Sequence, residues 1–520
     1  MKLRLVYIGL VTMLLTACTA VTDSSDDPVL PTVNNSFINL TIAVTNNNGT
    51  ATNNSSQRSL RRVSPATDNS ARSLRRVSPA GGEDGDGREA GFERENAIVG
   101  ITLMLYQTSD AAGINTTANP AIDFVAYYPV SRTTKDADTR IEATYTTGNR
   151  LVPHNTIDFT KTYRAIVVAN ADLTGSITAG SSHLNDLRSM TLDKIYSGDE
   201  TSPAPSCGYF VMSSEQDQTL SFATSTNSRD AAGDYYYDLT NQPLVIERMA
   251  ARIDFWAVNG TYNADKAGYV YDVTDGGDDK FVVTGIMPFN LTNKHTTYGK
   301  EYLLKRLTAS LSFVFPRWLV SEGPYATDPA YYYVLDPLTL TKVTTVHPTL
   351  TNSLESVKDL SSEAFASSGY YKSIAAMHGV TASGGGYASL TDGALTGEDV
   401  IVAYPMENTL LQQSPLYYNA TGIAIEGWYY AGGLTDASPK RMVFYGYMRH
   451  HGEGTGTSYE VNATNDVDAL QDASTVMNFG IVRNNIYRVR ISGVDVVKGT
   501  LTLKIEEKKW RHVDNPTIYI

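Results

Sequence analysis

A short alternating strand followed by a duplicated basic segment is the feature that most constrains this chain. Residues 36–45 read SFINLTIAVT, and Ile38, Leu40, Ile42 and Val44 occupy every second position. An extended backbone places these four side chains on one face, which predicts a strand able to fill a hydrophobic groove. Their burial would contribute about 6–12 kcal/mol as an upper bound, which is comparable to the net stability of a whole domain.

The segment after this strand has the composition of a polar tether. Residues 58–65 read RSLRRVSP and are repeated as residues 72–79, and residues 81–87 are rich in Gly and acidic side chains. Such a composition buries too little apolar surface to order itself, so we expect residues 46–94 to form a flexible tether. One alternative is an ordinary first strand followed by an unordered insertion. Another is that the Arg repeats bind an anionic surface polymer.

The tether is also a candidate site of proteolytic processing. Trypsin-like proteases cut most readily at basic residues in exposed, unordered segments. Arg76 is favoured over Arg62 because a cut there removes both repeats, and Arg94 lies too near the next predicted strand. The candidate sites are the six arginines of the repeats: Arg58, Arg61, Arg62, Arg72, Arg75 and Arg76.

The first residues have the pattern of a secretory signal. Lys2 and Arg4 precede an apolar run at residues 5–15, and the sequence LTAC ends at Cys18. The run is too short for a membrane-spanning helix, so we predict a signal peptide at residues 1–17 and a propeptide region at residues 18–94. The Cys at this place resembles a lipobox, which implies lipidation of Cys18. The alternative is a chance Cys at a plain secretory cleavage site.

Composition and strand pattern point to an exported all-β protein. The net charge of −13 and the sequence pI near 5.1 argue against a nucleic acid partner. Once Cys18 is lipidated, Cys207 has no partner for an intrachain disulfide. Alternating apolar segments with turn-rich connections and few helical patterns predict β-sandwich or Greek-key domains, with a boundary near residue 245. Short helices are expected within residues 184–195, 352–365 and 466–476.

We find no residue pattern that predicts catalysis or a cofactor. His450 and His451 are adjacent, so within a strand they would point to opposite faces and could not chelate one metal ion. Residues 275–279 (DGGDD) are expected to form a hairpin turn, and residues 384–386 lack the Lys that completes a phosphate loop. Paired carboxylates of the kind used in glycoside hydrolysis stay open, because sequence does not show which ones converge. We therefore predict no enzyme activity, no catalytic residue, no metal and no cofactor.

Several segments resemble the fimbrillins, which are pilus subunits of Gram-negative anaerobes. The most specific is residues 478–494 (NFGIVRNNIYRVRISGV), and it is supported by residues 444–451 (FYGYMRHH), 501–510 (LTLKIEEKKW) and 95–106 (ENAIVGITLMLY). The resemblance is closest to the minor, type II, fimbrial subunits. It implies two β-sandwich (transthyretin-like) domains, which we place at residues 95–245 and 246–510. It also implies export as a surface lipoprotein, removal of the first strand and polymerisation by strand exchange.

The resulting prediction is a structural subunit of a cell-surface fimbrium that supports adhesion and begins as an outer-membrane lipoprotein precursor. Residues 511–520 are the candidate donor tail, with Val513, Ile518, Tyr519 and Ile520 as its apolar positions. The expected partners are other fimbrial subunits, the outer membrane through the lipid, a processing protease, and a host or bacterial surface ligand. The alternatives are a fimbrial anchor, a tip adhesin, and a surface glycan-binding lipoprotein. A tail strand that pairs only within its own subunit also stays open.

Overall fold

The computed structural model describes the chain in segments separated by gaps. They are residues 35–44, 88–90, 95, 98–108, 119–129, 131–134, 143–146, 152–153, 157–192, 196–199, 206–214, 218–222, 226–229, 235–257, 260–292, 295–296, 301–302, 334–335, 350–378, 399–409, 420–450, 458–467, 470, 480–511 and 517–519.

Two twelve-stranded sheets contain most of the described strands. The main path of the first sheet runs β4-β3-β8-β12-β15-β1-β34-β6-β5, and β13, β14 and β7 pair with β8, β15 and β1. Its strands are β1 (Asn35–Val44), β3 (Gly100–Tyr106), β4 (Ile122–Pro129), β5 (Ser131–Thr134), β6 (Ala143–Thr146), β7 (Val152–Pro153), β8 (Thr162–Ala169), β12 (Met212–Ser214), β13 (Gln218–Ser221), β14 (Thr226–Arg229), β15 (Tyr235–Arg248) and β34 (Thr517–Tyr519).

The second sheet is built from strands that follow residue 251 and from one short early strand. Its main path runs β17-β18-β19-β28-β29-β30-β33-β32-β16-β26, and β2 and β25 pair with β33 and β19. Its strands are β2 (Arg88–Ala90), β16 (Arg252–Trp256), β17 (Thr261–Asn263), β18 (Gly268–Asp272), β19 (Lys280–Phe289), β25 (Lys372–Ser373), β26 (Asp399–Ala403), β28 (Gly422–Tyr430), β29 (Lys440–Tyr447), β30 (Ser458–Thr464), β32 (Asn485–Asp495) and β33 (Thr500–Arg511).

The remaining described elements are short. Five two-stranded pairs are β9 (Thr191–Leu192) with β21 (His295–Thr296), β10 (Tyr196–Asp199) with β11 (Ser206–Phe210), β20 (Leu291–Thr292) with β24 (Leu350–Thr351), β22 (Glu301–Tyr302) with β23 (Val334–Leu335), and β27 (Asn408–Thr409) with β31 (Gly480–Ile481). The helices of the described segments are α1 (Leu184–Ser189), α2 (Leu354–Val357), α3 (Ser362–Ala366) and α4 (Ile374–His378). The predicted all-β fold with a few short helices is confirmed, and none of these helices has the length and apolar character needed to span a membrane.

Strand β3 shows how the core is divided. All of its residues are buried, and residues 103–106 alternate between two hydrophobic clusters. Met104 and Tyr106 belong to a cluster that also contains residues of the second sheet, whereas Leu103 and Leu105 belong to a cluster within the first sheet. Because side chains alternate across a strand, both faces of β3 are covered, which explains its continuous apolar sequence.

The chain passes from one large sheet to the other between β15 and β16. The apolar pattern of residues 244–255 predicts one long or bent strand, and the structure contradicts this prediction. Strand β15 ends at Arg248 in the first sheet, and β16 begins at Arg252 in the second sheet. The intervening Ala251 N–H donates to the Pro405 carbonyl oxygen (2.9 Å), outside either ladder. The division into domains 95–245 and 246–510 stays a prediction.

Candidate functional site

The first strand occupies an interior place in the first sheet. β1 pairs in parallel with β15 at eight register positions, from Ser36 with Tyr235 to Val44 with Ile246. On its other edge it pairs antiparallel with β34, where Leu40 lies opposite Ile518. The residues predicted to form a removable strand, Ile38, Leu40, Ile42 and Val44, therefore all lie on one described strand. Whether this strand is removed stays a prediction.

The β1–β15 ladder is interrupted by a bulge in β15. Leu40 of β1 is opposite Leu239, but Ile42 is opposite Leu244, so β15 contains the extra residues. Pro243 lies within this bulge, where its missing N–H removes no ladder hydrogen bond. The Gln242 side chain bonds the backbone of Ser221, with its oxygen accepting from the N–H (2.9 Å) and its nitrogen donating to the carbonyl (3.1 Å). The bulge is thus fixed by a neighbouring strand rather than by β1.

Aromatic side chains pack beneath the β15 edge that β1 occupies. Phe159 stacks on Tyr237 of β15 with ring centroids 4.2 Å apart, and it meets Phe222 edge-on at 5.1 Å. Leu239, Leu244 and Ile246 of β15 are buried in the same cluster. Packed aromatic pairs add stabilisation beyond the area they bury. The edge of β15 is consequently backed by a hydrophobic core, and the described members of this core lie outside β1.

The chain is ordered before the end of the predicted tether. Residues 88–90 were assigned to the unordered tether, but Arg88–Ala90 forms β2, which pairs in parallel with residues 509–511 of β33. The tether prediction is therefore corrected at these residues. Cys18 and the six arginines of the repeats lie outside the described residues, and so do Val513 and Ile520 of the tail.

A buried cluster of charged and polar side chains joins the two large sheets just after the tether, and we name it the junction cluster. Its members come from four separate stretches of the chain and are all buried. They are Glu95, Glu247, Arg248, Arg252, Asp254, Tyr404, Glu407, Arg483 and Asn484.

Glu95 and Arg252 form the centre of the junction cluster. The Arg252 guanidinium lies 3.2 Å from the Glu95 carboxylate and 2.6 Å from the Asp254 carboxylate. The Tyr404 hydroxyl donates to Glu95 Oε1 (2.7 Å), and Arg248 Nε donates to the Glu95 carbonyl oxygen (2.9 Å). Buried charges need paired and hydrogen-bonded partners, which Glu95 has on both its side chain and its backbone. The chain is thus held firmly at the residue where the tether ends.

The other half of the junction cluster holds the segment before β32. Arg483 Nε donates to Glu407 Oε2 (3.0 Å), and Arg483 Nη2 donates to Glu407 Oε1 (3.3 Å), which is a bidentate pair. Arg483 Nε also lies 4.0 Å from the Glu247 carboxylate of β15. Asn484 has a φ of 59°, and its N–H donates to the Ala250 carbonyl oxygen (2.7 Å). These contacts connect the end of β15 with the start of β32.

Sequence reasoning missed the junction cluster because its members are far apart in the chain and form no motif. The sequence argument about His450 and His451 considered them in an extended strand, whereas His450 follows the end of β29 and is buried. Its Nδ1 lies 2.9 Å from the Tyr487 hydroxyl and 3.4 Å from Glu507 Oε2. Among the described residues, no group of three or more His, Cys, Asp or Glu side chains is arranged to hold a metal ion.

Comparisons with known proteins give structural neighbours only. No family model matches the chain, and a search of curated proteins finds no significant match. The solved structures similar to it include a fimbrilin (FimA) from Porphyromonas gingivalis W83, with 12% identity and a TM-score of 0.34, covering 93% of this chain and 99% of that one. Another is the tip fimbrial protein Mfa3 from Porphyromonas gingivalis, with 9% identity and a TM-score of 0.34, covering 82% and 96%.

A third neighbour is a candidate cell adhesion protein from Parabacteroides distasonis, with 12% identity and a TM-score of 0.37, covering 80% of this chain and 95% of that one. Fimbrial proteins are thus among the structural neighbours, and fimbrillins are the family that the sequence segments resemble. These identities and TM-scores are low, so the function proposed below rests on the pairing of the chain's own strands.

Proposed function

We propose that this chain is a structural subunit of a cell-surface fimbrium that supports adhesion. In this proposal the precursor is an outer-membrane lipoprotein attached through Cys18. A protease cuts it at an arginine of the tether, β1 leaves, and the tail of a neighbouring copy takes part in closing the sheet. The partners are then other fimbrial subunits, the processing protease and a surface ligand.

The pairing of β1 is the observation that carries this proposal. β1 has hydrogen-bonded neighbours on both edges, so its departure would open a gap in the middle of the first sheet. The eight register positions along β15 would then present unpaired N–H and C=O groups above an existing hydrophobic core. Such an edge is a template for an added strand from another chain.

A tethered strand and a cleaved strand differ in how readily they are replaced. While β1 is joined to Glu95 by the tether, its effective concentration at the groove is high, and a competing strand is excluded. After the cut, β1 is held by its pairing alone and can be replaced irreversibly if it diffuses away. Proteolysis therefore provides a switch between a closed precursor and an assembly-competent subunit.

The contacts at the end of the tether support a cut before residue 88. A protease needs an extended, accessible stretch on both sides of the bond it cleaves. Arg88 belongs to β2, and Glu95, the residue after Arg94, is buried with both its carboxylate and its carbonyl oxygen bound. Cleavage within the Arg repeats avoids both of these structures, which agrees with the preference for Arg76.

The test is to replace the six repeat arginines with Ala and to examine surface extracts. We expect a full-length precursor that does not polymerise, whereas the unmodified chain yields mature subunits whose first residue lies within the tether. The matched control replaces Glu83, Asp84 and Asp86, the acidic residues of the same tether, with Ala and should be processed normally. Normal mature subunits and filaments from the Arg-free variant would rule the proposal out.

A further inference from the structure

One face of the second sheet carries aromatic side chains that lie outside the hydrophobic core. On β28, Ile423 and Ile425 belong to the largest core cluster. Because side chains alternate across a strand, Trp428 and Tyr430 point to the opposite face. Trp428 is partly exposed and Tyr430 is 7% exposed. Neither ring belongs to a hydrophobic cluster of the described residues.

Trp428 lies in a row of directly paired residues that crosses four strands. It is opposite Val282 of β19 on one side and opposite Arg441 of β29 on the other, and Val282 is opposite Val270 of β18. Directly opposite residues share one face of a sheet, so Trp428 lies between an aliphatic pair and a guanidinium. β19, β28 and β29 each have a paired strand on both edges, so recognition on this face depends on side chains.

Two cationic side chains border the aromatic rings. Lys266 lies in the turn between β17 and β18, and its ammonium is 4.7 Å from the centre of the Tyr430 ring. On the other side, Arg441 Nε donates to Glu426 Oε1 (2.7 Å), and Arg441 Nη1 donates to the Leu360 carbonyl oxygen (3.1 Å). These two bonds fix the orientation of the guanidinium, whose side chain is 24% exposed.

Both cations retain donors that the described residues do not use. The neighbouring Lys280 is paired with Asp272 at 2.7 Å, but no carboxylate of the described residues forms an ion pair with Lys266. Arg441 Nη2 has no hydrogen-bond partner within the described part of the chain. An unsatisfied donor of this kind is costly and calls for a partner. On a chain with a net charge of −13, this face therefore combines aromatic rings with donors suited to an anion.

We infer that the face formed by Trp428, Tyr430, Lys266 and Arg441 binds a carboxylated glycan. The C–H groups of a sugar ring carry partial positive charge and pack on the negative face of an aromatic ring. The sugar carboxylate accepts charge-assisted hydrogen bonds from Lys266 and Arg441. This inference rests on the proposed function and deepens it, because it names the chemical class of the surface ligand.

The dimensions of the face fit a short glycan. Opposite residues on neighbouring strands are about 5 Å apart, and alternate residues along one strand are about 7 Å apart. Arg441 and Tyr430 are one strand and two residues apart, which places their Cα atoms about 8 Å from each other. With the side chains included, this distance accommodates a disaccharide. An extended peptide instead binds mainly by adding a strand to an open edge, which these interior strands do not offer.

Binding of defined glycans to a chain that spans residues 19–520 tests the inference. The probes are sialyllactose and the disaccharide of glucuronic acid and N-acetylglucosamine, and lactose is the matched neutral glycan. Binding is measured by tryptophan fluorescence and by saturation transfer from the protein to the sugar protons in NMR. We expect sialyllactose to bind at least about tenfold more tightly than lactose, because only its carboxylate pairs with the two cations. This preference should decrease as salt is added.

Two substitutions separate the role of charge from that of the aromatic surface. Lys266→Ala should weaken sialyllactose binding about tenfold and leave lactose binding unchanged. The matched control is Lys440→Ala, because Lys440 is exposed and precedes Arg441 on β29, so it points to the other face. Trp428→Ala should abolish binding of both glycans, and Trp428→Phe should restore part of it. Circular dichroism checks the folding of each variant, and Lys266→Ala decides the question if Trp428→Ala does not fold.

The inference is overturned if neither carboxylated glycan binds, if lactose binds as tightly, or if Lys266→Ala and Lys440→Ala have equal affinity. Equally tight binding of a tetraglutamate peptide would also overturn it, because the face would then select charge without the sugar. None of these results affects cleavage or polymerisation of the subunit. The proposed function fails instead if the variant without the repeat arginines still forms normal filaments, so the two failures are distinguishable.

Discussion

Replacing Arg252 with Met is the most direct test of the junction cluster. Arg252 is buried and lies between two carboxylates, with Nη2 2.6 Å from Asp254 Oδ2 and Nη1 3.2 Å from Glu95 Oε2. Met keeps an unbranched apolar side chain but is shorter than Arg and has no charge, so the substitution removes the cation and leaves a cavity where the guanidinium lay. Two buried carboxylates then lose their shared positive partner.

The expected loss of stability is large. Breaking a buried ion pair by removing one partner costs about 3–5 kcal/mol, because the remaining charge is left uncompensated. We expect a loss in the lower part of that range, because the Tyr404 hydroxyl still donates a hydrogen bond to the Glu95 carboxylate at 2.7 Å. Since natural proteins are stable by about 5–15 kcal/mol, the variant should lose a substantial fraction of its free energy of unfolding.

The assay is urea unfolding of a chain that spans residues 19–520, followed by circular dichroism and by fluorescence. Lys358→Met is the matched control, because it removes one partner of a solvent-exposed pair in which Lys358 Nζ lies 2.8 Å from Glu355. That change should cost at most about 1 kcal/mol. Adding Asp254→Asn to Arg252→Met should recover part of the loss, since one buried charge is neutralised. The reasoning is refuted if Arg252→Met costs no more than Lys358→Met.

Three further predictions concern export, assembly and pH. Cys18→Ala should abolish lipid labelling and surface export, and unchanged labelling with radioactive palmitate would contradict the lipidation prediction. Deleting residues 515–520 should leave a folded subunit that is processed but forms no filaments by electron microscopy; filaments from the truncated chain would place the donor elsewhere. Burial raises the pKa of Tyr445 to about 12. An unfolded tyrosine, with a pKa near 10.0, loses its proton first, so the free energy of unfolding should fall between about pH 10 and pH 12. The decrease in the free energy of unfolding should be smaller in Tyr445→Phe. Identical pH profiles of the free energy of unfolding for the two chains would contradict this prediction.

Local patterns in the sequence were sufficient to locate many of the strands. The apolar and β-branched residues of 163–170 and 442–448 predict strands, and these segments correspond to β8 and β29. Alternation identifies the faces of a strand, because side-chain direction has a period of two residues. It does not identify the partner of a strand, and nothing in residues 36–45 indicated parallel pairing with β15.

Breaks between strands were harder to predict when every side chain was buried. Met249, Ala250 and Ala251 are all buried, so the apolar pattern runs unchanged through the point where the chain changes sheets. The helix predicted over residues 352–365 is two helices, α2 and α3, separated by residues 358–361. The helix predicted within residues 466–476 falls mostly outside the described residues.

The junction cluster could not be predicted for a different reason. A single Glu or Arg in a β protein usually marks a solvent-facing position. Only the tertiary structure brings Glu95, Arg252 and Tyr404 together. Their mutual ion pair and hydrogen bond offset the cost of removing each charged or polar group from water.

The pairing of β1 also has a consequence for the order of folding. Ser36 pairs with Tyr235, and Leu40 pairs with Ile518, so β1 is made long before either of its neighbours. Contacts between residues so distant in sequence form slowly, because the entropy of closing the loop must be met before they stabilise the chain. During synthesis, β1 therefore stays without its strand partners until nearly the whole chain is available, and only then can the first sheet close. In the assembly that we propose, the first contacts to break are thus among the last that formed.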